Sequence, residues 1–505
     1  MTNRSIPASD SGTRSDAAKS NYDVWLGLRA VHWAIFALLV LTLYRLWFVT
    51  RMGLVPDEAY YWLWSKHLAA SYRDKGPAVA WTIALGTWLF GDTVFGLRFF
   101  SVLLAAATGW QLFSLARRLY DDRTALWCLV VGAVMPLFAV GSILMTIDSL
   151  SVFFWAWAAN VFWTAVASRK VWHWIGLGVL IGVGFLAKFT NAMQIACIGL
   201  FLLWSKPHRP LLLSRQTFAM CVAFGLTSLP ILVWNIQTGW VHAQALHSRS
   251  GIQGSFGIHP LELLRFVGGE AGVISPLLMI GMVMAVVGMT RHHRVEARAQ
   301  LLLSHFLPVY AVVLGFSLNK AGKENWPAPA LVTGIILLVV YWRELVERVP
   351  RRRWAVIAGL AVASGMTFFL HNSDLFSLPP KFKPLRRAQG WEDFARHVQE
   401  ARTRYSPTLL IGNHYSKASM MAFYLPDHPQ TYVATEEYGK SQFSLWPPYK
   451  VEPGTRALLV TESVDRIPEA IKREFTRQEL VDDFWSQHRG QPVSHFKIFV
   501  CSRDG

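Results

Sequence analysis

The chain has 505 residues, of which 53% are hydrophobic and only 16% charged, where a soluble domain averages about 25% charged. That balance excludes an ordinary soluble enzyme, because the apolar residues gather into runs of roughly 17–25, long enough to cross a bilayer. The net charge of +17 lies in short loops and forms no basic stripe on a soluble domain, so nucleic-acid binding is excluded too.

Residues 1–28 are polar, rich in Ser, Asp, Asn and Arg, and read as a disordered cytoplasmic lead. No convincing small-residue cleavage site follows the first apolar run, which therefore reads as a retained helix. About eleven membrane spans are expected, near 30–50, 97–116, 124–142, 149–167, 172–187, 190–205, 216–234, 271–290, 300–318, 326–342 and 354–370. The apolar stretch 78–90 is too short to cross and reads as an interfacial or re-entrant helix. One set of alternate short loops, including Arg117-Arg118, Arg169-Lys170 and Arg351-Arg352-Arg353, holds sixteen Lys and Arg; the longer loops between them hold nine. The positive-inside rule puts the first set, and the N-terminus, in the cytoplasm. An odd number of spans then puts residues 371–505 outside.

In that tail, Thr408–Asn413, Gln430–Ala434, Ala457–Thr461 and His495–Cys501 read as strands, and Ser416–Leu425 and Ile467–Phe475 as helices. This alternation predicts a small α/β domain. The expected architecture is thus an all-α polytopic membrane domain over 29–370 and an extracytoplasmic α/β domain over 371–505. Cys128, Cys197 and Cys221 lie in apolar runs and Cys501 near the end, with no zinc-ligand spacing.

On this topology the unusual polar residues share the outer face. Asp57, Glu58, Asp74 and Lys75 follow the first span, Asp148 sits in a short turn, Lys188 in another, and His242, His247 and Arg249 lie in the long loop 235–270. Carboxylates at a membrane boundary are costly unless they serve a purpose. Carboxylates beside Lys, Arg and His suit a reaction on an anionic lipid-linked substrate: cations hold a phosphate and a carboxylate activates a hydroxyl. Plainer roles compete at each position. Asp57 and Glu58 follow Pro56 as first-turn acids of a helix would, Asp148 could cap a span, and Lys75 and Lys188 could reach to the interface from their apolar stems.

Several motifs carry a resemblance. Asp57-Glu58-Ala59-Tyr60-Tyr61-Trp62-Leu63-Trp64, Tyr72-Arg73-Asp74-Lys75-Gly76-Pro77, Met145-Thr146-Ile147-Asp148-Ser149, Ala187-Lys188-Phe189-Thr190 and Asn325-Trp326-Pro327-Ala328-Pro329 occur in this order. Gly390-Trp391, Ala422-Phe423-Tyr424-Leu425-Pro426 and Leu445-Trp446-Pro447 follow in the tail. Together they resemble the GT-C membrane glycosyltransferases, in the branch of the lipid A aminoarabinose transferase and the rhizobial galacturonosyltransferases, distant relatives of protein O-mannosyltransferases. The resemblance implies inverting transfer of a sugar from a polyprenyl-phosphate donor to a lipid, glycan or protein acceptor outside the cytoplasm, at the inner membrane. It implies catalysis at Asp57, with Glu58 as a supporting acid, donor-phosphate contacts from Lys75 and Arg249, and a divalent metal ion on Asp74 and His247, for which His242 is a rival. From their turns on the same face, Asp148 is a further catalytic candidate and Lys188 a further donor-phosphate contact. Relatives usually have two prolines after the acidic-basic pair, whereas Gly76 precedes a single Pro77 here; glycine would loosen that turn. A transporter or flippase of lipid-linked sugars predicts inverted repeats and midplane charges, and neither is evident. A non-catalytic envelope scaffold would depend on residues 371–505 and tolerate loss of Asp57.

Overall fold

The computed structural model describes residues 24–504 except 26–27, 243, 245–256, 377–378, 380–382, 436–439 and 463–465. Most of the expected lead 1–28, and with it His247 and Arg249, lies outside the described residues; Val24–Trp25 pairs with Leu28–Arg29 just ahead of the first helix.

Among the described residues, seven helices of 21–26 residues are long and apolar enough to cross a bilayer, or up to eight spans if one bent pair is counted. Their outer faces carry bulky apolar side chains, such as Phe36, Leu39, Leu43 and Trp47 on Ala30–Phe48. Lipid satisfies those faces, and the backbone groups are satisfied within each helix. The chain is a multi-pass membrane protein.

Four expected spans differ from continuous crossing helices. The span near 124–142 breaks into Asp122–Val134 and Pro136–Gly141, because Pro136 has no N–H to continue the ladder. The span near 271–290 breaks at Ser275, which adopts φ 90°, and Pro276; the helices on either side meet at 106°. The spans near 172–187 and 190–205 become Val171–Ala187 and Met193–Trp204, of 17 and 12 residues, with a 3-10 turn at Phe189–Ala192 between them. As expected, residues 78–90 form a short helix, Ala78–Phe90.

The tail builds a five-stranded mixed sheet in the order Tyr432–Val433, Leu409–Gly412, Arg456–Glu462, Gln491–Ser502, Arg477–His488. Pairing is parallel across the first three strands and antiparallel across the rest, with Leu410 opposite Leu458 and Leu459 opposite Phe499. Two elements here escape an apolar reading of the sequence. Arg477–His488 is a charged edge strand, mostly solvated, and charge is what protects such an edge. Trp391–Tyr405 is a polar helix whose buried stripe, Trp391, Phe394, Ala395, Val398 and Ala401, follows a helical period.

Two cores divide the molecule. One fills the helix bundle. The other joins the helix Pro56–Ser65 to the tail domain: Tyr60, Trp62 and Trp64 pack in one cluster with Phe423, Phe443, Trp391 and Phe496. Polar bonds reinforce this seam. The Tyr424 hydroxyl accepts from Leu54 N at 2.7 Å, the Tyr60 hydroxyl accepts from Gln442 N at 2.5 Å, and Gln442 Oε1 accepts from Arg73 N at 2.7 Å. The first loop and the tail therefore form one packed layer over the bundle.

Candidate active site

The helix Pro56–Ser65 begins with proline at its first turn and acids at the next two positions, where the helix dipole favours negative charge. Consecutive residues of a helix point in different directions, and this separates the two acids. Glu58 turns inward and is fully buried. It accepts from Val55 N at 3.1 Å, Met145 N at 2.9 Å, Arg98 Nε at 2.8 Å and Arg98 Nη2 at 2.5 Å. Arg98, equally buried, spends its remaining donors on the carbonyls of Val49, Met52 and Gly53. Both carboxylate oxygens of Glu58 are consumed by protein groups. Glu58, expected among the catalytic acids, has the geometry of a clamp locking the first loop to the helix Val94–Leu119.

Asp57 turns outward and is half-buried, its side chain 38% exposed. Tyr415 of the tail donates its hydroxyl to Oδ1 at 3.3 Å, and the Arg387 guanidinium lies 3.9 Å from Oδ2. Tyr415 is held by its ring, 4.4 Å from that of Tyr60. One turn along from Asp57, Tyr61 is buried. Burial first, then the charges of Asp57 and Asp148, push its hydroxyl well above the usual range, so it stays protonated between two carboxylates.

Asp148 opens the helix Ile147–Ser168, whose cap is Thr146. Lys188 Nζ donates to Asp148 Oδ1 at 2.7 Å and to the Asn325 carbonyl at 3.0 Å, while Asn325 Nδ2 donates to Asp148 Oδ2 at 2.6 Å. Lys188 ends the helix Val171–Ala187 with extended backbone, which frees it to turn into this cluster. Three distant segments thus converge on one carboxylate. Asp148 and Asn325, with Thr146, Ser149 and Ser142, also line a chamber of about 800 Å³ walled mostly by apolar side chains including Leu38, Leu112, Val152 and Leu370, with Arg45, Ser101 and Thr108 as further polar lining.

The turn Tyr72–Gly76 lies alongside. Tyr72 N donates to Lys75 O at 3.1 Å, and the Tyr72 ring stacks on Trp64 at 4.4 Å. Asp74 is partly buried, its side chain 6% exposed and 3.9 Å from Arg73. His242 lies over this turn, its Nδ1 3.2 Å from Tyr72 O; burial holds its imidazole below the usual range, with Asp74 opposing and Lys75 assisting that shift. Gly76 does not loosen the turn, contrary to expectation. A Cβ there would sit 1.9 Å from the Leu186 carbonyl oxygen, so glycine is what allows the turn to dock against the segment leading to Lys188. Among the described residues no three His, Cys, Asp or Glu side chains gather closely enough to hold a metal ion.

Of the residues singled out in the sequence, Asp57, Asp148, Lys188, Asp74 and Lys75 fall on this one face; Glu58 lies beneath it. Asn325 belongs to a motif quoted above. Arg387 and Tyr415 carried no sequence signal, because they reach Asp57 from over 300 residues away.

Residues 74–234 match the family model described as dolichyl-phosphate-mannose-protein mannosyltransferase. The chain is 28% identical over 313 residues to the lipid A galacturonosyltransferase RgtD of Rhizobium johnstonii, covering 60% of this chain and 64% of that protein. It is 28% identical over 350 residues to the undecaprenyl phosphate-alpha-4-amino-4-deoxy-L-arabinose arabinosyl transferase of Pseudomonas aeruginosa, covering 63% and 59%. The chain thus spans less than two thirds of the length of these relatives. The crystal structure of ArnT from Cupriavidus metallidurans in the apo state superposes with a TM-score of 0.62 at 16% identity, over 93% of this chain and 98% of that one. The same protein bound to undecaprenyl phosphate gives 0.61 over 93% and 97%, again at 16% identity. The chain is a GT-C-fold membrane protein, related in sequence to the lipid A galacturonosyl and aminoarabinose transferases.

Proposed function

We propose that this protein is an inverting glycosyltransferase that moves a sugar from a polyprenyl-phosphate donor to a lipid A-like lipid, a glycan or a protein acceptor on the extracytoplasmic face of the inner membrane. The observation that carries the reading is the cluster of Asp148, Lys188 and Asn325, in which Asp148 and Asn325 line a large, mostly apolar chamber inside the helix bundle. A polyprenyl tail is apolar and needs such a chamber, while its phosphate needs cations at the polar end. Lys188 and Lys75 supply them, with Arg249 as a third cation from the long loop, and they stabilise the phosphate as the bond to the sugar breaks. The relative solved with undecaprenyl phosphate supports a lipid-linked donor.

In this mechanism the acceptor nucleophile approaches Asp57, which orients it and takes its proton as it attacks the anomeric carbon opposite the departing phosphate. Asp148, tied to Lys188 and Asn325, positions the lysine. The divalent ion expected from the resemblance would take Asp74 and His247, or His242 in place of His247; it would supply positive charge to the donor phosphate, and no step here depends on it. The bias of basic residues toward one set of loops supports a cytoplasmic N-terminus. Because Tyr415 touches Asp57, the site and the tail domain share one face, which this topology puts outside. A periplasmic reporter enzyme fused after the tail is expected to be active; an inactive one reverses the orientation.

The test of function is transfer from a panel of radiolabelled polyprenyl-phosphate sugars in membranes holding wild-type protein or Asp57→Asn, with and without a chelator. Wild type is expected to transfer label, and the variant to lose about 100-fold or more. Full activity in Asp57→Asn would sink the mechanism, and indifference to the chelator would remove the ion.

A further inference from the structure

The tail domain reaches the Asp57 carboxylate with two side chains, one to each oxygen. Tyr415 donates to Oδ1 at 3.3 Å and Arg387 stands 3.9 Å from Oδ2. Both are held by their surroundings. Tyr415 stands at the start of the helix Tyr415–Tyr424, its ring against Tyr60, and Tyr60 accepts from Gln442 N. The backbone of Arg387 is pinned by Trp391, whose indole donates to the Arg387 carbonyl at 2.8 Å.

The Arg387 side chain differs from the other cations of the site. Lys188 is 9% exposed and bonded within the protein, whereas Arg387 is 68% exposed. Its 3.9 Å approach to Asp57 is an ion pair without a close hydrogen bond. A guanidinium in that state has donors to offer an incoming group, and it is built to grip a carboxylate or phosphate with two parallel bonds. Arg386 beside it is exposed as well. Neither Asp57 nor Arg387 lines the apolar chamber, although Pro384 and Leu385, just before Arg387, do. The exposed guanidinium therefore meets the carboxylate from the solvent side, while the chamber is lined by Asp148, the partner of Lys188.

We propose that Arg387 and Tyr415 of the tail domain form the acceptor half of the site: Arg387 binds an anionic group of the acceptor, a phosphate or carboxylate, and Tyr415 aims the Asp57 carboxylate at the nucleophile. This rests on the glycosyltransferase reading above and adds to it the chemical class of acceptor and two residues that no motif marks. It gives the tail domain a role in selecting substrate. Tyr415 is a positioning residue; Arg387 touches the acceptor.

The experiment uses the full chain in membranes, with bisphosphorylated lipid A and dephosphorylated lipid A as probe acceptors. Wild type is expected to prefer the bisphosphorylated form. Arg387→Gln should raise KM for it about tenfold, the scale of one charge-assisted contact at a partly solvated site, and abolish the preference; Arg387→Lys should restore part of it. Tyr415→Phe should instead lower kcat severalfold with the acceptor KM unchanged, a split that a general loss of folding does not produce. Direct binding of undecaprenyl phosphate should be unaffected by either change, showing that the donor half is intact. Wild type without the preference, or Arg387→Gln retaining it, overturns the assignment of Arg387; Tyr415→Phe with wild-type kcat overturns that of Tyr415. Either can occur while Asp57→Asn remains inactive, so failure here is distinguishable from failure of the glycosyltransferase reading, which shows as activity in Asp57→Asn.

Discussion

Asp57 and Glu58 are neighbours with opposite fates, and burial separates them. Glu58 accepts four hydrogen bonds from protein donors; Asp57 meets one hydroxyl and a distant guanidinium. Breaking a buried ion pair by removing one partner typically costs about 3–5 kcal/mol, because the other charge is left uncompensated. Glu58→Gln is therefore expected to lower the melting temperature of the detergent-solubilised protein sharply, with Arg98 left in the interior. Asp57→Asn is expected to melt within a few degrees of wild type while losing transfer. Equal melting of Glu58→Gln and wild type would refute the clamp. Both residues were visible in the sequence as a costly pair of acids at a membrane boundary. The resemblance already set Asp57 ahead of Glu58, but the clamp that holds Glu58 was not legible, because it depends on Arg98, forty residues away, and on the Met145 backbone.

At the scale of elements, the turn Tyr72–Gly76 shows how a local expectation gives way to a packing constraint. Read alone, glycine before proline means freedom. In the structure it means contact, since the Leu186 carbonyl occupies the space a side chain would need. Gly76→Ala is expected to push the Asp74–Lys75 turn away from the segment carrying Lys188. The donor phosphate would lose one or both lysines, so undecaprenyl phosphate should bind about tenfold or more weakly in a binding titration; unchanged affinity would mean that the turn does not serve the phosphate. The helices teach a related lesson. Hydropathy missed most of the helix Pro260–Ile274, which fell in the expected loop 235–270, and could not say which helices are interrupted, because the interruptions at Met135–Pro136 and Ser275–Pro276 keep the apolar pattern while breaking the backbone ladder.

Across the whole molecule, the tail is a domain by sequence and a layer by packing. Its smaller core, around Ile411, Tyr449, Leu459 and Ile471, belongs to it alone, but the larger one is shared with Tyr60, Trp62 and Trp64 of the first loop. Lys66 and Trp62 are tied in turn to Asp92, at 2.5 and 2.7 Å. A chain ending after His371 would bare that aromatic face to water, at about 25 cal/mol for each Å² of apolar surface exposed. It is expected to accumulate poorly in membranes and to be cut by added protease within the first loop, where the full chain resists. Resistance of the truncated chain would show that the first loop folds without its cover.

Composition and hydropathy alone determined that this chain spans a membrane, because transfer of long apolar runs into lipid dominates every competing term. The order of short polar motifs was enough to point to the GT-C fold and to Asp57, Asp148, Lys188, Asp74 and Lys75, since ionisable groups at a bilayer boundary are conspicuous in any sequence. Only the tertiary structure decided that Glu58 is a clamp, that Asp148, Lys188 and Asn325 form one cluster with Asp148 and Asn325 lining a chamber, and that Tyr415 and Arg387 complete the surroundings of Asp57. Each of those results depends on contacts between residues tens to hundreds of positions apart. Such contacts are set by how helices and sheet pack, which no local pattern of residues encodes.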